Sequence, residues 1–193
     1  MNKRVLPLAG FEKKIAAFRE KPAPGLIIGG YMVDEITKNL PKDRFYDVIC
    51  ESIKCLPDAV QLLTPCSVGN GWLRILKIGR FAMTFFDKET GEGIRAYLDT
   101  EKLKKYPPIN EWFFKLTPKR EQDSEKLMAS IRSAGGAIIS LQKVKVDTDI
   151  TKKKKDHKVA VCAKCHEAYP ATEDGNLCKV CNGKISYYDF SGE

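Results

Sequence analysis

Four cysteines near the C-terminus have the residue type and the spacing of a metal site. Cys162 and Cys165 form one C-x2-C pair, twelve residues follow, and Cys178 and Cys181 form a second pair. Two residues between paired thiolates let a tight turn present both sulfurs to one ion, and two such turns complete a tetrahedron at ~2.3 Å from zinc. Because four protein ligands leave no open position, the pattern predicts one structural zinc ion per chain rather than a catalytic metal.

Three other interpretations of these cysteines compete with zinc. His166 follows Cys165 and completes the C-x-x-C-H pattern of c-type haem attachment, but haem attachment requires export and leaves the second cysteine pair unexplained. Thioredoxin-like redox chemistry needs a surrounding βαβ pattern, which the sequence does not show. Iron stays open beside zinc, because a tetrahedral site of four thiolates suits both metals.

The segment around these cysteines is too small to fold by apolar burial alone. Gly183 and the run 174–176 (Asp-Gly-Asn) supply the turn residues that the two cysteine pairs need. Its larger apolar side chains are few: Tyr169, Leu177, Ile185, Tyr187, Tyr188 and Phe190. We therefore expect metal ligation to supply much of the folding free energy of residues 159–193.

Charge is distributed unevenly along the 193 residues, whose formal net charge is +8. Residues 1–147 carry +7, residues 148–158 carry +3, and residues 159–193 carry −2. A module that grips nucleic acid should concentrate positive charge on itself, so the acidic zinc module is a poor lone reader of DNA. No apolar run approaches the ~18 to 20 residues that a membrane span needs, and residues 5–11 are too short for a signal segment, so we expect a cytoplasmic protein.

The N-terminal 147 residues predict an α+β domain. Helices are predicted at 10–19, 24–40, 56–63 and 117–133, and strands at 45–50, 72–78, 81–86, 94–98 and 137–146. The strands at 72–98 follow one another closely and predict a β-meander. This order favours a core of helices packed on a mostly antiparallel sheet (residues 1–147), a charged linker (148–158) and a small zinc-finger domain with four cysteine ligands (159–193).

One segment of this domain resembles a known family. In residues 51–69, the spacing Cys55…Asp58…Gln61…Thr64-x-Cys66 is similar to the signature of the family named for the E subunit of formylmethanofuran dehydrogenase. The resemblance spans roughly residues 10–145, and several members of that family also carry a C-terminal zinc finger. It implies an α+β core that pairs into an interwoven homodimer, with a metal or ligand pocket containing the signature thiols. It does not imply the dehydrogenase reaction, which belongs to other subunits with a pterin metal centre and iron–sulfur clusters.

The resemblance breaks where the family places metal ligands. The family's opening motif is Phe-His-Gly-His-x-Cys-Pro-Gly, whereas residues 18–25 here read Phe-Arg-Glu-Lys-Pro-Ala-Pro-Gly. Arg19 and Lys21 are cations with no lone pair to offer a metal, so a second, core metal is not expected unless the site is remodelled around Cys55 and Cys66. The exchange predicts an anion site instead, near the N-terminus of the helix that begins at residue 24. Its candidate ligand-binding residues are Arg19, Lys21, Cys55, Asp58, Cys66 and Asn70.

The sequence therefore predicts a zinc-binding accessory or regulatory protein, non-catalytic alone, in an anaerobe's redox or metal-cofactor metabolism. No catalytic residue is assigned. One alternative is a nucleic-acid-binding or metal-sensing regulator that uses the finger with Lys152, Lys153, Lys154 and Lys155. Another is an enzyme whose pocket holds a thiol of low pKa. The plainest alternative for the pocket is that Cys55 and Cys66 are small buried hydrophobes and that Arg19 and Lys21 are solvated.

Overall fold

The computed structural model describes residues 10–18, 23–151, 158–171 and 175–187. The chain divides into two compact units, Met1–Ile150 and Thr151–Glu193. Within the described ranges, no helix has the length and apolarity that crossing a membrane requires.

Six α-helices are described in the first unit, and local sequence explains where several of them begin and end. They are α1 (Phe11–Phe18), α2 (Pro24–Lys38), α3 (Leu56–Leu63), α4 (Thr100–Leu103), α5 (Pro107–Phe114) and α6 (Ser124–Ala134). Pro24 occupies the first turn of α2, where a missing N–H costs no hydrogen bond. The Asp99 side chain accepts from the backbone N–H groups of Glu101 and Lys102 and so caps α4.

Residues 99–123 differ from the prediction. Helices α4 and α5 were not predicted, and the helix expected from Thr117 begins later. Residues 119–121 form a 3-10 turn, and the Asp123 side chain caps α6 by accepting from Lys126 N. Asp123 displaces Thr117 as the cap because a carboxylate accepts this hydrogen bond at least as well as a hydroxyl. Gly135, with φ +50°, ends α6 as expected.

A five-stranded sheet lies beside these helices, in the order β2-β1-β3-β4-β5. The strands are β1 (Asp47–Cys50), β2 (Leu73–Ile75), β3 (Ala82–Phe86), β4 (Glu92–Leu98) and β5 (Ile139–Lys145). Strand β1 pairs in parallel with β2, and all other pairs in this sheet are antiparallel. The fold class is confirmed: helices accompany a mostly antiparallel sheet.

The predicted meander is wrong at its first strand. Strand β2 does not pair with β3, because β1 lies between them. Helix α3 connects β1 to β2 and returns the chain to the same end of the sheet, which is the connection that parallel strands require. The meander is instead formed by β3, β4 and β5.

Helix α2 is the centre of the apolar core. Ile28, Met32 and Ile36 have no exposed surface. At Gly30 a Cβ would overlap the Phe11 ring, and at Gly29 it would lie 2.8 Å from Ala59 Cβ. Glycine at these two positions therefore lets α1 and α3 approach α2 closely.

Two buried carboxylates differ in how they are paired. Glu51 accepts two hydrogen bonds from Arg95, at 2.6 and 3.0 Å, and forms an ion pair with Arg80 at 2.7 Å. Asp47 pairs with Arg74 at 3.3 Å, but its Oδ1 has no hydrogen-bond partner within the described residues. Burial raises the pKa of Asp47 against the opposing effect of Arg74. Burial acts in the same direction on Glu51, but its two arginines outweigh burial and lower the pKa.

The second unit contains a short antiparallel hairpin, β6 (Val159–Val161) and β7 (Ala168–Pro170). Val159 and Val161 are largely exposed, and so are Ile185 and Tyr187. In the described part of this unit, Cys162 is the one fully buried hydrophobic side chain. Apolar packing therefore contributes little to this fold.

Candidate metal site and ligand cleft

The four predicted metal ligands converge in the second unit. The sulfur atoms of Cys162, Cys165, Cys178 and Cys181 all lie within 4.8 Å of one another. The separation between Cys165 Sγ and Cys178 Sγ is 3.9 Å. A tetrahedron with metal–sulfur bonds of ~2.3 Å has sulfur–sulfur edges of ~3.8 Å. The donor set and its spacing therefore fit one tetrahedral zinc ion.

Tight turns hold each cysteine pair. In the first turn, Cys162 N donates to Glu167 O at 2.9 Å and His166 N donates to Cys162 O at 2.9 Å. In the second, Asn182 N donates to Cys178 O at 2.9 Å, and Gly183 adopts φ +72°. That backbone angle is open to glycine without a steric cost, which agrees with the turn predicted at Gly183.

Backbone donors favour thiolate sulfur in this cluster. Cys178 N lies 3.3 Å from Cys162 Sγ, and Cys181 N lies 3.5 Å from Cys178 Sγ. The backbone N–H groups of Cys165 and Cys178 lower the pKa of Cys162 to about 6. Hydrogen bonds to a thiolate stabilise its charged form, which is the form that ligates a metal. In the described residues, no second group of three or more His, Cys, Asp or Glu side chains converges in this way.

The first unit contains a cleft of about 930 Å³. Residues of three connections and of one helix start line it. They are Gly25, Ser52, Ile53, Lys54, Cys55, Lys77, Gly79, Phe81, Trp112, Phe113, Lys115, Thr117, Pro118, Lys119 and Gln122. The β1–α3 loop supplies one wall, the β2–β3 loop a second, and the end of α5 with the segment that follows it a third.

Aromatic rings form much of the cleft surface. Phe81 and Phe113 meet edge to face, with ring centroids 6.0 Å apart, and the rings of Trp112 and Phe113 are 6.2 Å apart. All three side chains are partly exposed and pack against the apolar core. The cleft is therefore apolar at its base, and its rings are held from behind.

The charged side chains that line the cleft are all positive. Lys54, Lys77, Lys115 and Lys119 come from three different segments, and no Asp, Glu or His is among the described lining residues. Two helices also begin here: Gly25 lies in the first turn of α2, and Cys55 is the N-cap residue of α3. Helix N-termini carry partial positive charge, so they add to the positive potential of the lysines.

Cys55 connects these two helix starts. A Cβ on Gly25 would lie 3.0 Å from Cys55 Sγ. The backbone of Cys55 has φ +63°, which side chains larger than hydrogen rarely adopt. Strained residues of this kind concentrate at ligand sites, so this conformation agrees with a binding role for the cleft.

The structure does not bring the predicted pocket residues together. Of those described, Cys55 alone lines the cleft. Helix α3 separates it from Cys66 by eight helical residues, a length of ~12 Å. Cys55 and Cys66 therefore cannot ligate one ion, which corrects the idea of a metal site remodelled around them.

Cys66, Asp58 and Asn70 lie away from the cleft lining. Cys66 is buried, its Sγ donates to Tyr46 O at 3.3 Å, and burial raises the pKa of its thiol to about 11. Asn70 fixes its own loop: its Oδ1 accepts from Ser67 N and Trp72 N, each at 3.0 Å. Asp58 lies in the first turn of α3. Cys66 is thus the small buried hydrophobe of the plainer alternative, and Asn70 is a loop-forming residue.

Some predicted residues lie outside the described part of the chain. These are Arg19 and Lys21 of the proposed anion site, and Lys152, Lys153, Lys154 and Lys155 of the linker. The anion site and the nucleic-acid arm that depend on them stay predictions.

Sequence reasoning missed the third wall of the cleft. Trp112, Phe113, Lys115 and Lys119 were not singled out, because α5 has no clear apolar period that would have predicted a helix. Two signals were present: prolines at 107 and 108, which suit a first helical turn, and the aromatic run 112–114.

Comparison with known proteins places both units in one group. Residues 18–147 match the family model described as FmdE, molybdenum formylmethanofuran dehydrogenase operon. Residues 153–189 match the model of the FmdE treble clef zinc finger.

Two similar proteins are informative. The crystal structure of an FmdE-like protein of tungsten formylmethanofuran dehydrogenase, from Syntrophus aciditrophicus, is 47% identical, with a TM-score of 0.84 over 97% of this chain and 100% of that one. A probable S-adenosyl-L-methionine-binding protein of Archaeoglobus fulgidus is 30% identical over 156 residues, which cover 75% of this chain. This chain spans only 42% of the length of that relative.

Proposed function

The chain belongs to the FmdE family, and from this premise we propose that it is a zinc-binding accessory protein, non-catalytic alone, whose core domain binds a small anionic ligand. Its finger is a zinc finger of the kind that accompanies this family. The metabolic setting that we propose, redox or metal-cofactor metabolism in an anaerobe, rests on the operon for which the family is named.

The observation that carries the ligand proposal is the charge of the cleft. Four lysines from three segments surround one concave surface, and no acidic side chain among the described lining residues offsets them. Lysines that converge on a partly enclosed site repel one another unless an anion occupies it. The cleft is also of the size of small-molecule sites, which run to roughly 300–1,000 Å³.

The same lining residues support binding rather than catalysis. General acid–base chemistry near neutral pH is most often carried by His, Asp or Glu side chains positioned at the substrate. The described lining includes no such group, and its one thiol, Cys55, has no histidine beside it in the cleft. An accessory role is therefore the function that this arrangement favours.

The Archaeoglobus relative raises S-adenosyl-L-methionine as a candidate ligand. That molecule carries a sulfonium, an ammonium and a single carboxylate, so its net charge is positive. A cleft whose described lining presents four lysines and no carboxylate repels such a ligand. The part of the relative that this chain does not span leaves room for a ligand site elsewhere in that protein.

A homodimer belongs to the same proposal. Ile53, Ile78 and Leu116 are each more than half exposed, and they lie on or next to the cleft-lining segments. Clustered exposed apolar side chains mark interaction surfaces more often than isolated ones do. Light scattering coupled to size exclusion, over a range of protein concentrations, measures the oligomeric state directly.

The ligand proposal is tested with inorganic pyrophosphate as a plain anionic probe. We compare the wild type with the double variant Lys54→Gln/Lys119→Gln by isothermal titration calorimetry. The matched control, Lys13→Gln/Lys143→Gln, removes the same charge from exposed positions on α1 and β5. Binding should weaken at least tenfold in the cleft variant, stay near wild type in the control, and fall as salt is added.

Two results would reject an anion site in the cleft. One is the absence of any pyrophosphate binding to the wild type at low salt. The other is an equal loss of affinity in both double variants, which would assign binding to overall charge.

A further inference from the structure

We infer that the anionic ligand of the cleft carries a flat heteroaromatic ring joined to a phosphate or carboxylate group, and that its ring packs against Trp112. This inference rests on the proposed function and deepens it by naming the chemical class of the ligand.

The first argument is the mismatch between the size of the cleft and a bare anion. A volume of about 930 Å³ far exceeds what a phosphate or sulfate group fills. Sites of this size usually bury most of a drug-sized ligand. The ligand must therefore have a substantial body besides its charged group.

The second argument is the chemistry of the surface that this body would contact. Trp112 and Phe113, on the last turn of α5, lie beside Phe81 from the opposite wall. The edge-to-face contact between Phe81 and Phe113, at 6.0 Å, holds these rings in fixed orientations. Heteroaromatic bases stack on aromatic side chains with a gain of ~1–3 kcal/mol per base, whereas a short aliphatic acid offers no ring to stack.

The third argument is the position of the charges relative to the rings. The α5 helix ends at Lys115, which has φ +54°, and this left-handed turn places a lysine directly after the aromatic residues. Lys119 follows on the same wall, and Lys54 lies on the β1–α3 wall beside Cys55. An anionic group attached to a stacked ring meets lysines on both sides of the cleft.

The wall that carries Trp112 is held by its own hydrogen bonds. Gln122 Nε2 donates to Thr117 O at 2.8 Å, and Leu116 N donates to Glu111 O at 3.0 Å. A surface that is already ordered binds a rigid ring without first losing conformational entropy. Preorganisation of this kind favours a planar ligand over a flexible one.

The experiment uses tryptophan fluorescence, because the chain has two tryptophans and one of them lies in the cleft. Trp72 contacts Phe45, with ring centroids 4.8 Å apart, and is not among the lining residues. The variant Trp72→Phe leaves Trp112 as the single reporter. The probes are AMP and flavin mononucleotide, ribose 5-phosphate as the ring-free anion, adenosine as the uncharged ring, and S-adenosyl-L-methionine.

We expect AMP or flavin mononucleotide to quench Trp112 and to bind at least tenfold more tightly than ribose 5-phosphate. The variant Trp112→Leu should lose this tenfold gain, measured by calorimetry, and keep its affinity for pyrophosphate. The variant Trp112→Phe should restore most of the gain, which separates loss of the ring from damage to the fold. Thermal melts of all three variants check that the core is folded.

The outcomes separate this inference from the proposed function. If pyrophosphate, ribose 5-phosphate and both ring-bearing probes bind equally, the anion site stands and the ring inference fails. If no anion binds, or if S-adenosyl-L-methionine binds most tightly, both fail. If Trp112 emission changes on dilution and ignores every probe, a second copy of the chain occupies the cleft, and the ring inference is overturned.

Discussion

The core and the finger are held together in different ways. Around α2 the core buries more than two dozen apolar side chains in one continuous cluster. The finger exposes Val159, Val161, Ile185 and Tyr187, and its four sulfurs are its most concentrated feature. The stability of the core is thus spread over many contacts, whereas that of the finger depends on four atoms and one ion.

This difference also separates the two kinds of chemistry in the chain. The finger uses negative thiolates to hold a cation, and the core cleft uses lysines that attract an anion. A metal in a closed four-thiolate site has no open position for a ligand, so we assign ligand binding to the cleft.

Removing zinc should have the largest effect, and it should be confined to the finger. Structural zinc contributes apparent binding free energies of ~10–16 kcal/mol in small zinc modules, and the described part of the finger has no apolar core to replace it. Two-dimensional amide NMR with a zinc chelator should show residues 159–187 collapse to unfolded positions while core resonances stay dispersed. Restoring zinc should reverse the change; unfolding of the core together with the finger would break the comparison.

Truncating one core side chain should give the converse result. Ile36 has no exposed surface, and Ile36→Ala should lower the free energy of unfolding of the core by about 3 kcal/mol. Urea unfolding measures this change, and zinc content should be unaffected. Ile150→Ala is the matched control, because Ile150 is 44% exposed and its truncation should cost less than about 0.5 kcal/mol.

The two buried carboxylates should respond differently to neutralisation. Glu51→Gln removes the charge that binds Arg95 and Arg80, and we expect a loss of about 2 kcal/mol at pH 7. Asp47→Asn removes a charge whose Oδ1 has no hydrogen-bond partner in the described chain, so it should be neutral or slightly stabilising. Equal losses in both variants would show that the pairing of Glu51 has no special weight.

The pH dependence of these residues follows from the direction of each pKa shift. The folded-state pKa of Glu51 is lowered from 4.5, so its contribution is present above pH 4.5 and is lost as pH falls through the folded value. The folded-state pKa of Asp47 is raised from 3.8, so its ionisation costs stability as pH rises above 3.8. Urea unfolding of each variant from pH 3 to pH 7, on the core, should therefore narrow the gap to wild type for Glu51→Gln at acid pH.

Thiol accessibility gives the smallest perturbation. In zinc-bound protein, iodoacetamide should add one group per chain, on Cys55. Burial raises the pKa of Cys50 to about 12 and that of Cys66 to about 11, which leaves both as unreactive thiols. Peptide mass spectrometry locates the label. Labelling of Cys66 would contradict the described core, and unusually rapid labelling of Cys55 near neutral pH would favour the enzyme alternative.

Local patterns predicted the elements whose signals are local. The position of α2 follows from Pro24 and the apolar spacing Ile28, Met32, Ile36, and the zinc cluster follows from cysteine spacing alone. These predictions succeeded because periodicity and ligand spacing are properties of neighbouring residues.

The neighbours of each strand and the walls of the cleft could not be predicted in this way. Residues 73–75 read as a strand, but nothing local shows that β1 rather than β3 lies beside them. The cleft joins Lys54, Lys77 and Lys119 from segments far apart in the chain, so their convergence is a result of the fold. The family resemblance directed attention to Cys66 and Asn70, which the structure places in the α3–β2 loop, away from the cleft.

Metal content per chain tests the contrast between the two regions most directly. Elemental analysis of purified wild type, Cys178→Ser and the control Cys55→Ser counts the ions that each region holds. The account predicts one zinc per chain in the wild type and in Cys55→Ser, and none in Cys178→Ser. A metal that survives Cys178→Ser, or that is lost from Cys55→Ser, would show that the core also binds a cation and would contradict the assignment of its cleft to an anion.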